Sequence, residues 1–551
     1  MTSKTDLTNL GEVVETDVLI IGGGVAGLIA TIRAKLARPA VSVLMVDKAT
    51  PGFAGQAAVT GGWSGFPPEE QLDEWFKERV EQGVYLNDQE VTYAFSKAMR
   101  KVVMEMADWG APLDRDEKGK LIVNQTSPTR RVVHWASVLG MTNFLRGKAR
   151  SEGARILPRI FVVELLTEGE RVAGAVGFSF DSGQFYILKA KATILANGAC
   201  MYRYRPVFRH NHGDGVAMAY NVGAELRDAE FANTVTGITK DGLRGCRLAF
   251  EDAVNAKGEK ISERYGIKNT RDFTIMAPIM YKEIQEGRGP IYTDEGAHYE
   301  HGGYDRNVRI REALGIPRGQ RVELIFGLNG RQGSIRVDSH CRTTLPGLWA
   351  VGDASYGGSS FLGAVAPCSV PPSGIPFAKT TGYIAGPDAA DFAAEAAAPQ
   401  IDSSQVSRLK EQVYAPLKRK AGFDPNDAIY QVQEAILPTK YNVFRSGERM
   451  QEALAMIEKV KGRLPTLWAK DLHYLVKAHE AASMAFCAEI TYRPALMRQE
   501  SRGFHMREDY PERDDQNWLK WIIIKKEKEE MKLWTEPVPI DKYKIKPPKK
   551  A

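Results

Sequence analysis

Gly22, Gly24 and Gly27 stand in G-x-G-x-x-G spacing directly after the branched apolar run Val18-Leu19-Ile20-Ile21, and Leu28 to Ala37 can continue as a helix. That order predicts a buried strand, a tight turn and a helix. Each glycine has a chemical reason to be there. The first allows the sharp turn, the second lets the backbone approach a pyrophosphate, and the third lets helix and strand pack closely, with the helix N-terminus facing the phosphates. A second strand, Val41 to Val46, ends in Asp47, twenty residues beyond Gly27. A carboxylate at that distance hydrogen-bonds a ribose hydroxyl in dinucleotide-binding units. The glycines alone are a weak signal; with the strand, the helix and the acid they point to a bound dinucleotide.

Further along, several glycine-rich stretches could meet the same ligand. Pro51 to Gly65, with Thr60-Gly61-Gly62 inside it, has neither strand alternation nor helical period. Its backbone could lie against a flat ligand, or it could be a flexible surface loop. Lys191 to Ala199 reads as a buried strand ending at Asn197-Gly198, and His212-Gly213-Asp214-Gly215 opens a helix over Val216 to Val222. Asp214 is either a ligand to the cofactor or a capping acid. Leu345-Pro346-Gly347-Leu348-Trp349-Ala350-Val351-Gly352-Asp353 ends a strand with a carboxylate suited to a polyol hydroxyl. The small and proline-rich stretch Tyr356 to Pro376 can then start a helix pointed at that ligand.

The elements that must position these groups follow from periodicity. Glu69 to Val84 and Glu90 to Gly110 return apolar residues to one helical face. Ile160 to Leu166, Val172 to Phe180 and Gln184 to Ala190 alternate with period two and predict a small antiparallel sheet appended to the dinucleotide domain. From about Gly237 to Val322 the composition turns polar and mixed, around a predicted helix from Thr270 to Glu286, which marks an inserted domain. Ala389 to Pro399 reads as a connector, and helices dominate from Ser404, with Val406, Leu409, Val413 and Leu417 on one face and Met450, Leu454, Ile457, Val460 and Leu464 on another.

Composition excludes several classes. At 551 residues the chain exceeds one hydrophobic core, and its 43% hydrophobic and 26% charged content is that of a globular protein. The net charge of +6 gathers in a lysine-rich end, including Lys525, Lys526, Lys528, Lys532, Lys542 and Lys544, so the body carries no nucleic-acid footprint. That end is either a solvated terminus or a docking element for an acidic partner. The five cysteines form no C-x-x-C pair, which argues against a disulfide framework and against an iron-sulfur cluster held by this chain alone. No apolar run is long enough for a membrane span, and Met1 to Gly11 has neither a secretory h-region nor twin arginines, so the expected location is cytoplasmic.

Together these motifs resemble the flavoprotein subunits of succinate dehydrogenase and fumarate reductase and the alpha subunit of adenylylsulfate reductase. The likeness spans most of the chain, and the ending Glu500-Ser501-Arg502-Gly503-Phe504-His505-Met506-Arg507-Glu508-Asp509-Tyr510-Pro511 is close to that of succinate dehydrogenase flavoproteins. The resemblance implies an α/β fold: an FAD-binding Rossmann-like domain in two parts, 1–236 and 323–395, with an inserted α+β capping domain, 237–322, a helical domain, 396–500, and a C-terminal tail, 501–551. It implies FAD in an extended conformation, held by Gly22, Gly24, Gly27, Asp47 on the adenosine ribose, Lys48, Thr60, Gly61, Gly62, Asn197, Gly198, Asp214 and Asp353 on the ribitol. Ser369 and Val370 would lie near the start of a helix aimed at the flavin ring, where its N-terminus would stabilise negative charge.

The departures matter as much. The histidine that attaches FAD covalently in many members falls near Gly55, so non-covalent FAD is expected. The family's His-Pro-Thr-Gly segment is here Asn233-Thr234-Val235-Thr236-Gly237, a second substrate-binding histidine is replaced by Asn329, and the Asn-Arg-Leu-Gly clamp reads Ser360-Phe361-Leu362-Gly363. A dicarboxylate needs paired cationic groups, ideally bidentate arginine, so succinate and fumarate fit poorly. Asn269-Thr270-Arg271-Asp272 matches the family's proton-shuttling Arg-Asp pair at an altered spacing, while Lys240-Asp241-Gly242 and Asn255 to Glu259 look more like adenylylsulfate reductase, whose substrate arginine aligns with Met276.

The resulting expectation is an FAD-dependent oxidoreductase that passes a hydride or electron pair between flavin and a small substrate. Arg271, Asn329 and Arg331 are the candidate catalytic groups, and Arg244 and His340 are reserves. Tyr202-Arg203-Tyr204-Arg205 either lines the site or forms a basic turn. Electrons would exchange with a separate iron-sulfur subunit. The alternatives are a flavin electron-relay subunit without substrate chemistry of its own and a self-contained oxidase. No metal site and no nucleic-acid partner are expected.

Overall fold

The computed structural model describes residues 6–53, 55, 58, 63–135, 138–203, 211–231, 233–239, 253–267, 273–294, 321–331, 334–355 and 374–548. Strand β1 (Glu12–Ile21) buries every side chain from Val18 to Ile21 and enters helix α1 (Val25–Ala37) through the glycine turn. A strand apolar on both sides belongs inside a parallel sheet covered by helices. β1 lies there, parallel to both β2 (Val43–Asp47) and β9 (Phe185–Leu195). The full order is β6 (Arg155–Pro158), β2, β1, β9, β8 (Arg171–Ser179), β7 (Ile160–Glu168), with β15 (Leu348–Ala350) also on β9.

The sheet corrects one expectation. β7, β8 and the first half of β9 are antiparallel as read, but they do not form a separate appended sheet. Phe185 to Leu195 is one continuous strand: its first half pairs with β8, its last residues pair with β15, and its other edge pairs with β1 throughout. Burial of Ile187, Leu188, Ala190, Ala192, Ile194 and Leu195 and the continuous pairing with β1 leave no break at which a second sheet could begin.

One side of the sheet carries α1 together with α3 (Gln89–Asp108), α4 (Val138–Ser151) and α8 (Gly374–Glu395). Gly382 and Gly386 make α8 a close neighbour of α1, because a Cβ at either would lie 2.2 or 2.4 Å from the Ala26 or Ala30 carbonyl oxygen. Ala389, Ala390 and Ala393, expected in a connector, are buried on the last turns of α8; small side chains permit the close packing. A short sheet, β3 (Trp63–Phe66), β5 (Arg130–His134) and β4 (Asn124–Ser127), lies beside α2 (Leu72–Gln82) and α3. Helix α5 (Asp214–Asn221) leads to β10 (Leu226–Arg227).

The inserted unit is a four-stranded sheet in the order β11 (Asn233–Thr239), β14 (Arg321–Arg331), β13 (Ile291–Asp294), β12 (Ala253–Val254), with α6 (Ile261–Arg264) and α7 (Phe273–Gln285). β11 and β14 straddle the junctions placed at 236/237 and 322/323 and form the two-stranded root through which the unit joins the main body. Phe504, from far down the chain, enters its core beside Ala253, Ile261, Met276, Met280, Ile291 and Leu324.

Helices α9 (Ser403–Lys418), α10 (Pro425–Ile436), α11 (Gly447–Arg463) and α12 (Leu472–Met497) form the helical region. Asp402, Asp424, Ser446 and Asp471 each accept a hydrogen bond from a first-turn backbone N–H and so fix where these helices start. Val406, Val413, Met450, Ile457 and Val460 are buried as their spacing predicts. Before α11, β16 (Phe444–Arg445) pairs in parallel with β17 (Met506–Arg507), which follows α12. The lysine-rich end is not a free tail. β18 (Lys520–Glu527) and β19 (Glu530–Pro537) make a hairpin on β10, burying Trp521 to Ile524. Ile545 then exchanges two hydrogen bonds with Gln89, at 2.6 and 3.2 Å. Burial of the Trp-Ile-Ile-Ile run outweighs the solvation of the flanking lysines. No described helix is long and apolar enough to cross a membrane.

Candidate functional site

The site is built at the end of the sheet where β1, β2, β9 and β15 terminate. Gly22 has φ +114°, and a Cβ there would lie 2.4 Å from the Ala196 carbonyl oxygen; one at Gly27 would lie 2.0 Å from that of Gly22. Only glycine closes this turn. Gly24 caps α1 in an extended conformation, and a Cβ on it would meet nothing within 4 Å. A pyrophosphate can therefore approach the helix N-terminus.

Asp47, at the end of β2, accepts hydrogen bonds from the Gly23 N–H on one carboxylate oxygen and from the Ala49 N–H, at 2.6 Å, on the other. Burial raises its pKa, against the pull of these two N–H groups. The acid thus braces the glycine turn and keeps lone pairs for a sugar hydroxyl. Asn197 follows β9, and its Oδ1 is buried without a hydrogen-bond partner. Gly215 is packed against that atom, at 2.7 Å from its would-be Cβ. A buried, unsatisfied acceptor beside the phosphate turn is what a bound hydroxyl or amide donor would satisfy. Gly352-Asp353 sits on a short turn after β15, and the Gly352 N–H donates to Thr381 Oγ of α8 at 2.8 Å.

Lys48 and Asp214 occupy a different environment. The Lys48 ammonium contacts Asp214 at 2.8 Å, Glu480 of α12 at 3.2 Å and His212 Nδ1 at 2.8 Å. Arg203 pairs with the second Glu480 oxygen and donates to His212 Nε2 at 3.2 Å. His212 Nδ1 lies 3.0 Å from Glu480, so the ring is wedged between the carboxylate, the ammonium and the guanidinium. The two carboxylates raise the Lys48 pKa against the effect of burial. Asp214 is the first residue of α5 and caps nothing; its Oδ1 has no hydrogen-bond partner. The network fastens the cofactor end of the sheet to α12, and Tyr202-Arg203 belong to it as a structural turn.

The remaining candidates separate. Thr60, Gly61, Gly62, Arg244, Arg271, Ser369, Val370, Tyr204 and Arg205 lie outside the described residues. His340 is on an exposed turn, with its N–H on Asp338 at 2.8 Å. Asn329 and Arg331 are both on β14. Arg331 is paired with Asn233 across the ladder, and the register skips between Thr234 and Val235, which places Asn329 at a β-bulge. Bulges re-aim a residue out of the regular alternation.

Two residues escaped the sequence reading. Glu480 carried no local signal, because its partners are more than two hundred residues away. Lys379 did carry one: it is the sole charged residue between Asp353 and Asp388. It is 1% exposed on α8, donates to Ser64 Oγ of β3, and lies 5.5 Å from the centre of the Trp135 ring. Among the described residues no group of three or more His, Cys, Asp or Glu side chains is arranged to hold a metal ion.

A glycine turn at the head of a doubly covered sheet, an acid at the end of β2 and an inserted cap define a dinucleotide-binding flavoprotein of the oxidoreductase type. The chain belongs to the FAD-binding-domain family, whose model matches residues 17–370, and residues 432–551 match the model of the fumarate reductase flavoprotein C-terminal region. It is an FAD-dependent oxidoreductase. One component of the CoM/CoB fumarate reductase of Methanothermobacter marburgensis is 27% identical, over 94% of this chain and 98% of that protein. An uncharacterised FAD-dependent oxidoreductase of Methanocaldococcus jannaschii is 26% identical, over 95% and 98%. Among solved structures, the E. coli quinol fumarate reductase flavoprotein superposes with a TM-score of 0.84 at 22% identity, covering 98% of this chain and 99% of that one. Adenylylsulfate reductase of Archaeoglobus fulgidus gives 0.78 at 24%, covering 96% of each. These two likenesses show the fold, an α/β FAD domain with an inserted cap and a C-terminal domain.

Proposed function

We propose that this flavoprotein moves a hydride, or an electron pair, between FAD and a small polar substrate that is neither succinate nor fumarate, and that it exchanges those electrons with a separate iron-sulfur subunit. The flavin supplies the redox chemistry; the chain supplies orientation and a preorganised electrostatic site. One observation carries the substrate part of this reading. The root of the cap pairs Asn233 with Arg331 and places Asn329 at a bulge, within the two segments where the resembling fumarate reductases carry substrate-binding histidines and this chain has none. One cation with amide groups suits a substrate with a single anionic or carbonyl group better than a dicarboxylate. Arg271, outside the described residues, would join them as a proton-transfer group. The partner is inferred from the cysteine pattern, which provides no cluster motif, and from relatives that are named as subunits.

The test is anaerobic absorbance of the flavin in protein purified with its native partner, against a panel of organic and sulfur compounds. Bleaching of the oxidised bands by one compound class, or reoxidation of the reduced flavin by it, supports substrate turnover. Electron exchange with the partner alone across the whole panel would overturn the reading and leave the chain as an electron relay.

A further inference from the structure

Lys379 is a buried cation with very little to hold it. Among the described residues, all the polar help it has is one hydroxyl, Ser64 Oγ, which also accepts from Trp135 Nε1 at 3.1 Å, and the face of the Trp135 ring. No carboxylate pairs with it among the described residues. The charged groups on the elements around it are otherwise engaged. Arg33 of α1 and Glu105 of α3 pair with each other beside Tyr383, and Arg342 and Asp388 pair at the far end of α8. His134 precedes Trp135, and Asp353 is on the adjoining turn. None of them shifts Lys379: burial is the whole cause that lowers its pKa to about 7. A lone ammonium in the interior costs stability. The fold keeps one here, and its position shows what it can serve.

Gly382 lies against Ala26 and Gly386 against Ala30, so α8 and α1 run parallel with both N-termini toward the cofactor. α8 is described from Gly374, about 10 Å beyond the start of α1 at 1.5 Å per residue. The same register carries Lys379 to the level of Gly23, in the part of α8 that extends past the phosphate turn. Its side chain bridges to β3, the strand that begins one residue after Gly62. Lys379 therefore joins β3 to α8, the elements that follow the Thr60-Gly61-Gly62 loop and the Ser369-Val370 segment expected to meet the flavin.

We infer that Lys379 is a positioning residue for electron transfer: its ammonium, held by Ser64 and Trp135, places a positive charge toward the flavin that favours the reduced cofactor and couples uptake of a second proton to its reduction. Two electrons and one proton at N5 leave the reduced ring with one negative charge. That charge raises the affinity of the nearby amine for a proton. Where Lys379 is neutral before reduction, its Nζ takes a proton from solvent when the electron pair arrives, and it returns the proton on reoxidation. The electrons come from any donor that reduces FAD; the lysine is neither oxidised nor reduced.

The experiment uses the FAD-loaded full chain, reduced anaerobically by dithionite in weak buffer with a pH-indicator dye, alongside a spectroelectrochemical titration from pH 6 to 10.5. Wild-type protein should take up more protons per electron pair than Lys379→Met near neutral pH. Its equilibrium for reduction should exceed that of Lys379→Met about ten-fold at pH 6, with the difference vanishing by pH 10.5 as the amine loses its proton in both redox states. Lys379→Arg should keep the advantage at every pH. Identical proton uptake and identical reduction profiles in wild type and Lys379→Met would overturn the inference, even if stability changed. So would weaker FAD binding in Lys379→Met by the same factor in both redox states. Should Lys379→Met not retain FAD, Ser64→Ala decides: loss of the hydroxyl should move the wild-type inflection to lower pH, and an unmoved inflection contradicts the role.

Discussion

Arg498 and Lys379 are two buried cations kept out of water in opposite ways. Arg498 is fully buried and well partnered: it donates to Glu230 at 2.8 Å, to Glu500 at 2.9 Å, and to the Trp518 and Lys520 carbonyls at 3.0 and 2.7 Å. Glu500 in turn holds Arg502 at 2.7 Å, and Arg445 reaches the Glu230 carbonyl and His505. Opposite charges raise the Arg498 pKa, while burial alone lowers that of Lys379. The paired network ties the end of α12 and the segment around His505 to the residues leading into β11, the root of the cap. It is architecture, and it cannot respond to a change of charge nearby without breaking. The lone lysine is free to respond. The difference separates a charge that holds the fold from one that answers a redox event.

The sharpest way to break the first member of the pair is Glu500→Ala, which takes from Arg498 and Arg502 the buried carboxylate they share and leaves each with one carboxylate, Glu230 and Asp515. Removing one partner of a buried ion pair costs about 3–5 kcal/mol, and thermal unfolding should show that loss. The second member should behave in the opposite sense. Lys379→Met in apoprotein should gain on the order of 5 kcal/mol below pH 7. The folded pKa of about 7 lies below the ordinary lysine value of 10.5, so the unfolded chain binds more protons between those values. The deficit of the wild type is therefore full below pH 7 and shrinks as the pH climbs to 10.5, and the two melting curves should converge there.

The arginine network has its own pH signature. Burial, together with Arg445 and Arg498, holds the His505 pKa well below its usual value. Below about pH 6.5 the unfolded chain gains a proton that the folded one does not, so stability falls by up to ~1.4 kcal/mol per pH unit. His505→Asn should flatten that acid limb in a denaturant titration while leaving the alkaline convergence at Lys379 untouched. The smallest effect is expected for Ser64→Ala, about 1–2 kcal/mol, because it leaves the Trp135 N–H without its acceptor and the ammonium without its hydroxyl.

The cofactor turn was legible in the sequence because its constraints are local. Gly22 and Gly27 meet backbone within a few residues or at the neighbouring strand end, Gly24 leaves the helix N-terminus open, and the apolar run before them admits few alternatives. The helices after Asp402 were legible from their apolar period. What failed were features set by distant partners. Period two in Gln184 to Ala190 marks a strand but not the sheet it joins, and pairing with β1 decided that. The lysines of the last segment suggested a solvated end, whereas Ile522 to Ile524 and β10 made it a hairpin. Lys48 and Asp214 were each read toward the cofactor, and Glu480, far along the chain, draws both into one network. Lys379 was visible as a lone charge, but only its fit against Ser64 and Trp135 shows why the lone charge matters.

The central functional claim is best tested by offering fumarate to the anaerobic holoprotein after its flavin has been reduced with dithionite. With Asn233 and Asn329 at the cap root, the flavin should stay reduced in the presence of excess fumarate and succinate should not bleach the oxidised form. Rapid reoxidation by fumarate, saturating with its concentration, would contradict the reading and return the chain to the dicarboxylate chemistry of the proteins it resembles.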